Sequence, residues 1–181
     1  MTWPYWLKRQ TYRLAVVMGL VDGILTAMLL AAQKILGHGT PVDFESALKV
    51  AVFALATAGF VFYIGRYADL RSQLVRAAAQ LNLRKRGKLA ATRLGRMVLG
   101  EAVVEALVSG SCSFVSALLP LSLAAAFPAA PWLSVLVSLF LLGLLGSVLG
   151  KTVRGSPGKW SVGLIAGGLF MTFLGFGLRI M

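Results

Sequence analysis

The stretch "VMGLVDGILTAMLLAA", Val17–Ala32, holds one charged residue, Asp22, inside an otherwise apolar run. The run belongs to a longer segment, Leu14–Ile35. Roughly 17–25 predominantly apolar residues suffice to cross a hydrocarbon core as a helix. A charge at the bilayer centre costs at least about 2.5–3.5 kcal/mol on insertion scales. The segment therefore reads as a membrane helix whose carboxylate is compensated by something, and what compensates it bears on function.

Four further segments have the same character: 46–65, 102–127, 131–150 and 160–178. Of the 181 residues 58% are hydrophobic, where soluble domains sit nearer 45–50%. The mean hydropathy is +0.82. These features predict an all-α polytopic membrane protein of five transmembrane helices, one membrane domain over 1–181. The first segment exceeds the usual 7–15-residue core of a signal peptide, and no small-x-small site follows it, so it reads as a span.

Lysine and arginine favour cytoplasmic loops. Lys8, Arg9 and Arg13 precede the first span, whereas "LGHGTPVDFE" after it carries neither residue type. The connection 66–101 is rich in arginine and lysine, "FPAAP" is uncharged, and "KTVRGSPGK" is basic. The alternation predicts an N-terminus inside and a C-terminus outside. Topology thus accounts for most of the net charge of +12, and no nucleic-acid partner is needed to explain it.

Trp3, Tyr5, Trp6 and Tyr12 lie beside basic residues, a pattern suited to the headgroup layer. In the inner connection, Leu70, Leu74, Ala78 and Leu81 share one helical face. "NLRKRGK" breaks that pattern at Gly87, and Leu89–Met97 leads into the third span. A basic amphipathic helical connection of this kind is expected to lie on anionic lipid headgroups across 66–97. In the outer loop, Asp43 is placed to cap the second helix. His38, Asp43 and Glu45 read as a wet loop, with a weak ion-release site as the alternative. Pro120, in "SFVSALLPLSL", is expected to kink or break the third span. Gly146-x-x-x-Gly150 and Gly163-x-x-x-Gly167 predict close helix packing.

A single cysteine, Cys112, excludes an internal disulfide and a thiolate-rich metal site. A single histidine, His38, excludes a multi-histidine site within one chain. Any metal would rest on oxygen and thioether ligands. With no phosphate loop, no Ser/His/Asp set and no zinc spacing, neither an enzyme nor a resident cofactor is expected. The acids within or beside spans are Asp22, Glu101 and Glu105, and Met18 shares a helical face with Asp22. Glu101 and Glu105, four apart, share one face as well. Such carboxylates face the bundle interior or a water path. They would serve either transport or an ion pair, Asp22 with Arg66 or Glu105 with Arg96.

The order of motifs resembles the vacuolar iron transporter family of Fe²⁺/Mn²⁺ exporters. Asp22-Gly23 in "GLVDGILTA" matches that family's Asp-Gly pair in span one. "GRYADLRSQ", Gly65–Gln73, fits the frame of its Gly-Glu-Tyr and Ser-Gln motifs. "GSCSFVSALLPLSL" fits its third span, and "GGLFMTFLGFGLRI" its glycine-rich last span. The resemblance covers nearly the whole chain. It implies a homodimer, first spans lining a path at the interface, Asp22 as metal ligand, and proton-coupled export of Fe²⁺ or Mn²⁺ from the cytoplasm. The plasma membrane of a prokaryote is expected rather than a vacuolar membrane. Two departures stand out. Arg66 occupies the place of the family's glutamate and Phe62 that of a methionine. The acidic metal-collecting domain is replaced by a short basic connection whose stretch Tyr67–Val98 contains Asp69 as its single acid. A divergent, non-transporting membrane protein with a lipid-interacting or structural role is the alternative, as is a transporter of a different substrate.

Overall fold

The computed structural model describes residues 5–35, 43–80, 93–127, 130, 132–152 and 155–177. They form five helices: α1 (Tyr5–Ile35), α2 (Phe44–Gln80), α3 (Arg93–Ala126), α4 (Trp132–Thr152) and α5 (Pro157–Gly177). Four of them contain stretches long and apolar enough to cross a membrane: Tyr12–Ala31, Phe44–Arg76, Arg96–Ala126 and Trp132–Thr152. The chain is therefore a helical membrane protein, and α5 covers the segment expected to be its fifth span.

α1 is the hub. It touches each of the other four helices, while α2 packs on α3 and α4 on α5. Small side chains make this possible. Ala27, Ala47, Ala51, Ala54 and Ala117 form one buried cluster with Leu121, and Ile24, Met28 and Leu142 form a second. Lipid tails are as apolar as leucine, so membrane helices associate through close packing and interhelical hydrogen bonds. A Cβ added at Gly19 or Gly23 would collide with the backbone carbonyls of Ser109 and Ser113 on α3. This Gly-x-x-x-Gly pair flanks Asp22 and seats α1 directly on the α3 backbone. Gly146 and Gly150 seat the start of α5 in the same way, against Ser161 and Pro157. Gly163 and Gly167 instead meet open space.

Gly23→Leu is expected to lower the thermal midpoint of the detergent-purified protein clearly, since forcing bulk into a packed contact costs about 1–3 kcal/mol or more. Gly65→Ala, where a Cβ meets nothing, should leave the midpoint unchanged or raise it. Heating monitored by circular dichroism separates the two.

Two local expectations change. The stretch 66–80 is no separate surface helix: α2 runs unbroken for 37 residues to Gln80, about 55 Å at 1.5 Å per residue. A hydrocarbon core is only about 30 Å thick, so the basic end continues the line of the span instead of lying across it. A polarity change marks a membrane boundary, whereas backbone hydrogen bonds within a helix form on either side of it. Pro120 does not break α3. It is buried, and Ser134 of α4 donates to its carbonyl at 2.8 Å. Tyr5, Trp6 and Tyr12 belong to the continuous α1. Asp43 immediately precedes α2, and its carbonyl accepts the Ala47 N–H at 2.9 Å. Trp3, His38 and Gly87 lie outside the described residues.

Candidate functional site

The charged groups in the bundle separate into two layers along α3. In the deeper one, the Ser113 hydroxyl lies 3.2 Å from Asp22 Oδ2 and 3.3 Å from the Ala54 carbonyl of α2. Three helices meet at this fully buried serine. A hydroxyl has one proton and two lone pairs, so Ser113 donates to one of these acceptors at a time. Ser116, one turn on, donates to the Ser113 carbonyl at 3.2 Å. Thr26 donates to the Asp22 carbonyl at 2.9 Å.

Asp22 itself is exposed on the surface of the single chain, although Gly23 beside it is buried. Leu14 and Met18, two turns and one turn before it, are 55% and 54% exposed. The carboxylate thus sits at a margin, with one edge held by Ser113 and the other on an open apolar strip of α1. Met18 stands on that strip, whereas Met28 is buried against Leu142 and Gly168 as core.

The shallower layer is built on Arg66. Its Nε stands 2.6 Å from Glu105 Oε2, with 18% of the arginine side chain and 1% of the glutamate side chain exposed. This is a charge contact without hydrogen-bond alignment. The NH2 group donates to Glu105 Oε1 at 3.4 Å and the NH1 group to Asp69 Oδ2 at 3.1 Å. Gln73 also donates to Asp69, at 3.1 Å. Arg66 is therefore spread between two carboxylates.

Neither expected pair forms. Asp22 is not joined to Arg66, because the serine that holds it lies eight residues beyond Glu105 on α3, about 12 Å along the axis. Glu105 is not joined to Arg96, because its side chain turns toward α2. Glu101 is half-buried, one turn from Glu105, and makes no ion pair among the described residues. No group of three His, Cys, Asp or Glu side chains able to hold a metal occurs among the described residues of one chain. A cation at Asp22 would need hydroxyl, thioether or backbone donors, or a second carboxylate from another copy.

Sequence reasoning missed Ser113 and the Gly19/Gly23 seat. The signal was present in "SGSCSFVS", where Ser109, Ser113 and Ser116 recur at three- and four-residue spacing. No family model, curated protein or solved structure matches this chain.

Proposed function

We propose that this chain exports a divalent cation, Fe²⁺ or Mn²⁺, from the cytoplasm in exchange for protons, as a homodimer of five-span subunits with N-terminus inside and C-terminus outside. One observation carries the reading. Asp22 lies at span depth, is hydrogen-bonded from within by Ser113, and is open on the outer face of α1. A carboxylate presented to lipid would be costly. Pairing the open faces of two α1 helices removes that cost and brings two Asp22 carboxylates together. Two such charges balance one divalent cation.

The serine supplies a switch in hydrogen bonding. When its proton turns to the Ala54 carbonyl, Asp22 is released from that hydrogen bond and directs its full negative charge to the cation. When the cation leaves, the proton can return to Asp22. Met18, one turn away, adds a polarizable donor that suits transition metals better than Mg²⁺ or Ca²⁺. Protons replace the cation's charge on the return step. The resemblance to the iron exporters supports this reading, and the plasma membrane of a prokaryote is the setting proposed.

A second reading has its own support. Arg66 stands where the resembling family has a glutamate and is closed into an ion-pair cluster with Glu105 and Asp69, so no open carboxylate is offered to a metal at that position. On that reading the protein is a structural or lipid-interacting relative that moves no metal, or it moves another substrate.

Two measurements test the proposal. Liposomes containing the protein should admit Mn²⁺, read by quenching of a lumenal dye, faster than protein-free liposomes; equal rates would remove the transport function. In a Cys112→Ser background, cysteines at Asp43 and Phe127 should react with an impermeant thiol reagent from outside, and those at Arg76 and Lys151 only from inside. The reverse pattern would overturn the orientation.

A further inference from the structure

α2 and α3 leave a groove of about 320 Å³ on their outward side, lined by Leu55, Gly59, Phe60, Tyr63, Leu107 and Gly110 among others. This is near the low end of small-molecule sites, about 300–1,000 Å³. It forms because the helices approach backbone to backbone: a Cβ on Gly110 would lie 2.8 Å from the Leu55 carbonyl oxygen and 3.6 Å from the Gly59 Cα. Without side chains at Gly59 and Gly110, the space beside the contact is flanked by Phe60, Tyr63 and Leu107.

The chemistry changes along the groove. Tyr63 stacks on Tyr67, with ring centroids 6.1 Å apart and planes at 11°. On α3, Arg96 lies seven residues before Val103, which lines the groove; that is two helical turns along the same face. Arg71 lies eight residues beyond Tyr63 on α2, a little over two turns on and about 80° further round, within reach of a long arginine side chain. Arg71 and Arg96 are both exposed, and neither makes an ion pair among the described residues. Arg66, by contrast, is turned to the other side of the contact and neutralised by Glu105 and Asp69. An apolar groove at membrane depth thus runs toward two uncompensated guanidinium groups at the basic end.

We infer that this groove binds an anionic phospholipid, with an acyl chain along Leu55–Tyr63 and Leu107–Gly110 and the phosphate headgroup between Arg71 and Arg96. Two features of the occupant follow. The apolar lining asks for a chain, and two unpaired arginines at one end ask for a phosphate, which guanidinium groups bind well. A second copy of the chain would satisfy the apolar part and leave both arginines bare. The inference rests on the proposed placement of the basic end at the cytoplasmic headgroups, and it is independent of what Asp22 carries.

The test is native mass spectrometry of the detergent-purified full chain, free of added metal, titrated with palmitoyl-oleoyl phosphatidylglycerol or the matching phosphatidylcholine. The wild-type protein should retain phosphatidylglycerol in preference to phosphatidylcholine. Arg71→Gln/Arg96→Gln should lower phosphatidylglycerol retention about tenfold and erase the preference. Ala56→Phe, at an exposed position lining the groove, should lower retention of both lipids. Equal retention of the two lipids by the wild type, or unchanged retention in both variants, would overturn the site. So would a dimer lost on Ala56→Phe with lipid binding intact, because a second copy would then be the occupant. No metal enters this experiment, so its failure leaves the transport proposal standing, and loss of Mn²⁺ flux leaves the lipid site standing.

Discussion

Glu105→Ala should lower the unfolding free energy of the detergent-purified protein by about 3–5 kcal/mol, the usual effect of removing one partner from a buried ion pair. Glu105 is fully buried and its carboxylate lies against Arg66. Without it, the guanidinium keeps Asp69, which is 56% exposed, and loses its buried partner. The double variant Arg66→Leu/Glu105→Leu should be far milder, because replacing both charges of a buried pair by packed apolar groups is often close to neutral. Arg66→Glu is the most informative change. It would gather three carboxylates, at positions 66, 69 and 105, and so should destabilise the protein in metal-free buffer. Added Mn²⁺ should then restore the midpoint, since a ligand that binds only the folded state stabilises it by about 2.7 kcal/mol at one hundred times its Kd. Thermal unfolding with and without Mn²⁺ checks each step. An Arg66→Glu protein as stable as the wild type in the absence of metal would show that the two charges do not face each other.

Asp22→Asn should do the opposite, leaving stability nearly unchanged and weakening cation binding. The amide can still accept from Ser113 and keeps the side-chain shape, so the packing of Gly19 and Gly23 on α3 is untouched. The charge is lost, however. A charge-assisted contact is worth about 1.5–3 kcal/mol, and every 1.4 kcal/mol is tenfold in affinity. Mn²⁺ affinity should therefore fall by about tenfold or more, and further where two copies contribute one Asp22 each. Ser113→Ala should weaken binding less, because it removes a neutral donor. If Asp22→Asn unfolds the protein, the carboxylate is structural and the transport reading loses its main support.

Much of this fold is legible in the sequence because a bilayer imposes a simple demand: backbone groups must be satisfied internally. Length and apolarity therefore mark the spans, and the lone Asp22 marks itself. What escapes is register between distant segments. Ser113 stands 91 residues from Asp22 and 59 from Ala54, and nothing local says that they meet. Arg66 and Glu105 are each visible as charges at span ends, yet their partnership depends on how α2 and α3 are rotated against each other. The Gly19-x-x-x-Gly23 spacing is readable, but nothing near it in the chain names the Ser109 and Ser113 carbonyls on which these glycines sit. The end of α2 escaped for another reason: polarity at 66–80 shows where the membrane stops and carries no instruction to end the helix. Pro120 does not break the helix because it is buried among packed neighbours, with Ser134 of α4 anchored on its own carbonyl, so tertiary contacts outweigh the one backbone hydrogen bond that proline cannot donate.

The central claim is that Asp22 belongs to a path that moves a divalent cation against protons. Its most direct test is simultaneous recording of lumenal Mn²⁺ and lumenal pH in liposomes carrying either the wild-type protein or Asp22→Asn at equal density. The account predicts that the wild type lets Mn²⁺ enter while protons leave, and that both signals vanish together in Asp22→Asn. Mn²⁺ entry at the same rate in the two proteins, or no entry above protein-free liposomes in either, would contradict it.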